Sequence, residues 1–396
     1  MRGKGAPRMD LSRTTLAAVI GTSDAKGGAE KAFRAILNGF RDEFGMRIRT
    51  FTHLPPDEAD PDLDTSVLRS PANASLGRMF TNLRRGLLSV DRPAILFPFQ
   101  INSNILAMGV NRSLPKQSRL PSVLNDRACI DEILEANAQA SLSGWLQAPL
   151  RHVITRAAYR LGDHVVCNAR DNETAVVRFT GLDPSRVSTI YNPLPAHEIQ
   201  QRFPARERQQ LADPASPLFA AHGRMTKQKG FDSLLRAFAE VKRTLPGARL
   251  RIVGDGVDRA SLEALAGELG VASACEFPGF LSDPLAAIED ADLYILPSRW
   301  EGLPNALLEA IAVGLPVVAT RCQTGPEEIL QDGRAGRLVA VDDVAGLTKS
   351  VLELISNHAE RSELARRARE RALDFGLEIN LAGYRAVFEG LPGLDA

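Results

Sequence analysis

The residues best equipped for chemistry lie in one run, Ser298-Arg-Trp-Glu301-Gly-Leu-Pro-Asn305-Ala-Leu-Leu-Glu309-Ala, which follows the apolar stretch Leu293–Pro297. The apolar stretch reads as a strand and the run as a loop entering a helix. Pro304 suits the first helical position, since it lacks only an N–H that would be unpaired there anyway. Glu301 then sits in the loop and Glu309 in the second helical turn. The amides of Leu303, Asn305 and Ala306 lie at a helix amino end, which favours an anion such as phosphate. Of the two carboxylates flanking that anion site, one is suited to sugar hydroxyls and the other to ribose hydroxyls. The plainer alternative makes Glu301 a complement to the helix dipole and Glu309 a solvated helix residue.

A second run, His222-Gly223-Arg224-Met-Thr-Lys227-Gln-Lys229-Gly230, directly follows another strand. Its glycines permit tight turns. Arg224 and Lys229 place two cations where a diphosphate could be neutralised without a metal, each charge-assisted contact being worth about 1.5–3 kcal/mol. A third run, Gly21-Thr-Ser-Asp-Ala-Lys-Gly27-Gly28-Ala-Glu30, opens a helix with a glycine pair that lets amides approach phosphate, but it lacks P-loop spacing. Other pieces only resemble sites. Gly254-Asp-Gly256 begins like a dinucleotide fingerprint, yet Arg259 stands at its third glycine position. Asp60-Pro-Asp62-Leu-Asp64 lacks the glycine and glutamate of a calcium loop and reads as a solvated acidic loop. Asp290-Ala-Asp292 reads as a turn at a helix end. The histidines do not cluster, so no metal site is expected.

The elements that must position these residues alternate as short strands and amphipathic helices, the pattern of doubly wound parallel sheets. Expected strands in the first half are Thr14–Gly21, Arg47–Leu54, Pro93–Gln100, Arg119–Asp126, His164–Ala169 and Val187–Asn192. Those in the second half are Pro217–Gly223, Arg249–Gly254, Cys275–Phe277, Leu293–Pro297, Pro316–Thr320 and Arg337–Val341. The polar stretch Gln200–Pro217 reads as a linker. The expected division is therefore 1–200, a linker over 201–216, 217–378, and a final segment 379–396. Two such halves would face a cleft, with ligands at the carboxyl ends of strands.

Composition limits the classes further. The chain has 396 residues, 44% of them hydrophobic and 24% charged, which suits a folded multi-domain protein. Basic and acidic residues balance at 48 each, which disfavours a general nucleic-acid binder. Residues 1–200 hold 25 basic against 20 acidic residues, so a mildly basic first half suits an anionic surface or acceptor, or reflects chance. Cys129, Cys167, Cys275 and Cys322 are widely spaced and read as reduced, buried thiols of a cytoplasmic protein. No signal peptide or membrane span is expected, and Met9 is as good a start as Met1.

Taken together, the motifs resemble those of the retaining glycosyltransferases of family 4, the "group 1" family with the GT-B fold. The resemblance rests on Gly223-Arg224…Lys229-Gly230-Phe-Asp, Leu250-Arg-Ile-Val-Gly254-Asp-Gly256, Phe277-Pro-Gly279-Phe280, the glutamate run, Thr324-Gly-Pro-Glu-Glu-Ile-Leu and Asp332-Gly-Arg-Ala-Gly336. The first half joins it through Gly27-Gly28-Ala-Glu30 and Ile190-Tyr-Asn-Pro193.

That resemblance implies a nucleotide-sugar donor held by the second half, a UDP-sugar favoured over a GDP-sugar, and an acceptor held by the first. Arg224 and Lys229 would bind the diphosphate, Glu301 the transferred sugar and Glu309 the ribose. Gly279 and Phe280 would lie beside the base, with Gly28, Gly302, Leu303 and Asn305 completing the donor contacts. Asn380 to Leu391 would form a helix crossing back to the first half. No metal or cofactor is expected. Relatives often carry a polar side chain where this chain has Leu124; Asn125 or Asp126 would replace it, or both would cap a following helix.

The activity implied is metal-independent, retaining hexosyl or N-acetylhexosaminyl transfer to a saccharide or lipid-linked saccharide. It would serve cell-surface polysaccharide or lipopolysaccharide synthesis. A stripe of Trp145, Leu146, Leu150, Val153, Ile154 and Ala157, edged by Arg151, Arg156 and Arg160, either rests on the inner membrane surface or packs on the sheet. The competing functions are another enzyme of the same fold, such as an epimerase or phosphorylase, and a non-catalytic sugar-nucleotide binder.

Overall fold

The computed structural model describes residues 10–21, 28–53, 64–68, 76–127, 142–204 and 215–394. The chain divides into two units, Met1–Pro193 with Leu377–Ala396, and Leu194–Gly376. Both are parallel α/β sheets of Rossmann type.

In the first unit the strands are β1 (Thr15–Ile20), β2 (Arg47–Thr52), β3 (Asp64–Val67), β4 (Ala94–Phe99), β5 (Val123–Asp126), β6 (His164–Cys167) and β7 (Val187–Thr189). Their order in the sheet is β3-β2-β1-β4-β5-β6-β7. Alternate residues of each central strand feed opposite faces, as the pleat requires. Ala17, Val19, Leu96 and Leu124 pack on one side, and Leu16, Ala18, Ile20, Phe97 and Phe99 on the other. The helices are α1 (Gly28–Phe44), α2 (Leu76–Leu88), α3 (Ile101–Ser113), α4 (Leu142–Leu161) and α5 (Arg170–Thr180). In α2, Met79, Leu83 and Leu87 are buried, whereas Leu76 is 78% exposed.

The structure corrects three sequence readings here. Asp64, read as part of an acidic loop, opens the edge strand β3; Asp60 and Asp62 lie outside the described residues. The strand expected from Arg119 begins only at Val123, because Pro121 supplies no ladder donor and the Lys116–Ser118 segment coils into a 3-10 turn. The apolar stripe of α4 does not pack on the sheet. Thr155, Ala158 and Tyr159 face inward, while Leu150 (62%), Val153 (66%) and Ile154 (43%) are exposed. The side chains of Trp145 and Leu146 lie outside what is described.

In the second unit α6 (Ala196–Arg202) precedes β8 (Leu218–His222), α7 (Phe231–Thr244), β9 (Arg249–Val253), α8 (Arg259–Glu268) and β10 (Cys275–Gly279). These are followed by β11 (Leu293–Leu296), α9 (Asn305–Val313), β12 (Val317–Thr320), α10 (Pro326–Ile329), β13 (Arg337–Val339), α11 (Val344–Ser356) and α12 (His358–Ala372). The sheet order is β10-β9-β8-β11-β12-β13. The start of the expected linker is thus helical. Gln200 of α6 exchanges hydrogen bonds with Arg369 of α12, which ties this segment to the second unit and moves the boundary ahead of residue 200. Residues 205–214 lie outside the described part.

The last helix, α13 (Leu377–Glu389), belongs to the first unit, and its Leu381, Tyr384 and Phe388 complete the core around Phe40 and Phe97. Among the described residues no helix is long and apolar enough to cross a membrane.

One half-buried titratable group links this packing to pH. His164 opens β6 with Nε2 2.9 Å from Ser188 Oγ, and burial, helped by the nearby Arg186 charge, lowers its pKa to about 4. The ring is neutral when folded and gains a proton on unfolding below its ordinary value of 6.5. Stability is therefore fully held above that value and eroded as pH falls toward about 4. We expect His164→Gln to flatten this limb of a urea-denaturation series from pH 7 to 4; an unchanged slope would refute the assignment.

Candidate nucleotide-sugar site

The strand order of the second unit reverses between β8 and β11, which lie side by side in parallel. Loops at such a point diverge and leave room for a ligand. Here the loop after β8 carries Arg224 and Lys229, and the loop after β11 carries Glu301.

Hydrogen bonds from both sides join the two loops. The Arg299 amide donates to Gln228 O at 2.8 Å, and Gln228 Nε2 donates to Trp300 O at 2.9 Å. Lys229 Nζ donates to Glu301 Oε1 at 2.5 Å, and Ser298 Oγ reaches the same oxygen at 2.7 Å. Gly230 makes the approach possible: its φ is +62°, and a Cβ there would stand 2.1 Å from Pro297 O. Arg299 clamps the junction from outside, bonding Lys227 O, Asp232 and Asp342. These bonds raise the pKa of Arg299 and lower that of Asp342.

A third loop buttresses this pair. Thr324 Oγ1 donates to Glu301 O, Thr320 Oγ1 donates to Ser298 O, and Gly325 at φ +91° leaves no space for a Cβ against Pro304. Pro304 is the residue capping α9, one place earlier than expected, with Asn305 the first helical residue. Glu309 lies in the second turn as expected. It is not a solvated helix residue, for its Oε2 is 2.8 Å from His222 Nε2 and its side chain is 18% exposed.

The glycines of Gly254-Asp-Gly256 have a packing reason instead of a cofactor. A Cβ at Gly254 would meet Gly223 O at 1.9 Å, and one at Gly256 would meet Met225 O at 2.3 Å. Gly279 ends β10 with φ +83°, and Phe280 beyond it is 60% exposed. Arg224 is exposed, and Gly302, Leu303 and Asn305 lie between Glu301 and the first turn of α9. Within the second unit Lys229 is thus paired with Glu301 and Glu309 with His222, while Arg224 stands exposed on the loop after β8.

In the first unit, Gly28 opens α1 and is exposed, whereas Gly27 lies outside the described residues. Asn125 and Asp126, expected as sugar contacts, are both fully buried. Asn125 bonds Pro98 O and accepts from Arg127 and Tyr384; Asp126 accepts from Tyr159 OH at 2.8 Å. Leu124 is core, packed over Gly162. The segment these residues were alternatively expected to cap lies outside the described residues.

The other near-motifs have structural partners. Asp292 accepts from the Leu218 amide and Asp290 pairs with Arg251. Cys167 and Cys322 are buried and Cys275 half-buried; Cys129 lies outside the described residues. Sequence reasoning gave no role to His222, Ser298, Arg299 or Thr324. A histidine immediately before Gly223-Arg224 at a strand end was the one signal available.

The architecture is that of the GT-B glycosyltransferases, two Rossmann-like units, and residues 203–371 match the family model described as "Glycosyl transferases group 1". Among curated relatives, the lipopolysaccharide core biosynthesis glycosyltransferase LpsE of Rhizobium meliloti is 35% identical over 170 residues, 43% of this chain and 48% of that protein. The GDP-mannose-dependent alpha-(1-6)-phosphatidylinositol monomannoside mannosyltransferase of Mycolicibacterium smegmatis is 33% identical over 254 residues, covering 58% of this chain and 63% of that one. The chain spans about half the length of the curated relatives it matches. Anabaena Alr3699/HepE in complex with UDP aligns with TM-score 0.76 at 17% identity over 95% of this chain and all of that one. The lipopolysaccharide outer core galactosyltransferase WaaB aligns at TM-score 0.72 and 18% identity over 95% of this chain and 99% of that one.

Glu301 is 5% exposed, so removing its cation strands a carboxylate. We expect Lys229→Met to lower unfolding free energy by about 3 kcal/mol in urea titrations, and the double variant with Glu301→Gln to recover part of it. A single variant as stable as wild type would show that the pair contributes nothing.

Proposed function

We propose that the protein is a retaining glycosyltransferase that moves a hexosyl or N-acetylhexosaminyl group from a nucleotide-sugar to a saccharide or lipid-linked saccharide acceptor. A UDP-sugar is favoured over a GDP-sugar. The observation that carries this reading is the pairing of Lys229 with Glu301, with exposed Arg224 earlier on the same loop as Lys229 and α9 beginning just after Glu301, inside the segment that matches the glycosyltransferase family. Support for a surface-polysaccharide or lipopolysaccharide role comes from relatives named for that work, and support for UDP from a fold neighbour solved with it.

In this reading the diphosphate sits between exposed Arg224, Lys229 and the amides of Leu303, Asn305 and Ala306, where a helix end and two cations offset its charge. The bond from the sugar C1 to the diphosphate oxygen breaks as the acceptor oxygen bonds C1 on the same face, and the departing diphosphate takes the acceptor's proton. Glu301, with Oε1 already committed to Lys229 and Ser298, offers Oε2 to the transferred sugar. Glu309 accepts from the ribose, and Gly279 and Phe280 flank the base. Neither a metal ion nor a cofactor is assigned a step.

The test is thermal unfolding with UDP, GDP, ADP or NAD and a chelator present. A ligand at a hundred times its Kd adds about 2.7 kcal/mol. We expect UDP to stabilise the protein and Arg224→Ala to cut transfer by about a hundredfold to a thousandfold. Stabilisation by NAD alone, or full turnover in Arg224→Ala, would sink this reading; donor binding with neither transfer nor hydrolysis would make the protein a non-catalytic binder.

We further propose peripheral attachment to the inner face of the cytoplasmic membrane through α4, whose exposed Leu150, Val153 and Ile154 lie beside Arg156 and Arg160. Vesicles containing anionic lipid should co-sediment the protein, and Val153→Asp with Ile154→Asp should abolish this. Equal recovery in the supernatant with and without vesicles would remove the membrane from the proposal.

A further inference from the structure

His222 closes β8 and is 6% exposed. Its ring packs edge-on against Tyr294 of β11, centroids 5.4 Å apart, while Nε2 lies 2.8 Å from Glu309 Oε2 and buried Nδ1 has no partner. A carboxylate only accepts, so the proton of this contact sits on Nε2. The bond joins a strand end to the second turn of a helix, and both ends are held by packing: β8 is a central strand, and Leu307, Leu308, Ala310 and Ile311 around Glu309 are buried. A glutamate side chain turns about three torsions, and a bond from a rigid donor removes most of that freedom.

We propose that His222 is a positioning residue for nucleotide recognition, holding the Glu309 carboxylate in the orientation that meets the ribose hydroxyls. This rests on the donor-site reading above. His222 touches no ligand itself, so its effect is confined to ligands that carry those hydroxyls. A merely structural role at the end of β8 would act differently. It would disturb Gly223 and Arg224, which follow immediately, and weaken every nucleotide alike.

The experiment measures, by calorimetry, the affinities of UDP and GDP and of their 2′,3′-dideoxy counterparts for wild type, His222→Leu, His222→Asn, His222→Gln and Glu309→Gln. Wild type should prefer the ribonucleotide. In His222→Leu that preference should shrink about tenfold, equivalent to about 1.4 kcal/mol, with the dideoxy affinity unchanged. Asparagine is too short to reach Glu309 and should behave like leucine, which keeps the test open if the leucine variant folds poorly. Glutamine places an amide donor near the Nε2 position and should restore most of the preference.

If His222→Leu and His222→Asn keep the wild-type preference while Glu309→Gln loses it, the inference fails and the donor site stands. If the histidine variants weaken ribo- and dideoxynucleotides equally, His222 is structural only and the inference again fails. If Glu309→Gln and wild type show the same preference, the ribose assignment falls and takes this inference with it.

Discussion

A nearly buried carboxylate in the second unit sets the terms for everything around it. Glu301 is nearly buried, and an ionised group there is tolerable only with a cation and further hydrogen bonds on its oxygens. Lys229 and Ser298 supply these, but Lys229 reaches Glu301 only because the loops after β8 and β11 run side by side. That closeness in turn requires neighbouring parallel strands, a glycine at 230 against the Pro297 carbonyl, and the clamp of Arg299. The cation suited to an anionic ligand is therefore held in place by the acid suited to a sugar.

Glycines in these loops record where backbones touch. Gly254 and Gly256 fail as a dinucleotide fingerprint and still have no substitute, because Gly223 O and Met225 O occupy the space a Cβ would fill. The Met225 amide donates to Asp255 O at 2.8 Å, joining the loops after β8 and β9 in the same way that Gln228 and Arg299 join those after β8 and β11. Three successive strand-end loops thus brace one another, which keeps Arg224 on a rigid support while its side chain stays exposed.

The alternation of apolar strands with amphipathic helices was legible in the residues, because strands buried on both faces read as short continuous apolar runs. The edge strand β3, Asp-Thr-Ser-Val, carries no such signal: only one side of it pairs, and its side chains stay largely wet. The helix α6 was hidden for a similar reason, as only Ala196 and Ile199 of its residues are buried. Glu301, Glu309, Arg224 and Lys229 could be picked out by type and by their position after strands. Their pairing could not, since the residue types equally allow both cations to be reserved for phosphate. Asn125 and Asp126 show the converse. Polar residues at a strand end look like a site until Arg127, Tyr159 and Tyr384, distant in sequence, are seen to consume them.

The two units share an architecture and spend their polar groups differently. At the end of β5 in the first unit, Asn125, Asp126 and Arg127 are all buried, and Arg127 lies over the Phe99 ring with its guanidinium bonded to Ile190 O, Asn192 and Tyr384. That network fastens α13 to the sheet and leaves little for a ligand. At the ends of β8 and β11 in the second unit, the buried groups hold one another only in part: Arg224 is exposed and Glu309 retains some access to solvent. Chemical capacity follows from that difference in bookkeeping, since a polar group already satisfied inside a core gains nothing from a substrate, whereas one oriented at one atom and open at another does. The polar groups not consumed by the core accordingly lie in the second unit, and the first unit exposes the apolar and basic side of α4.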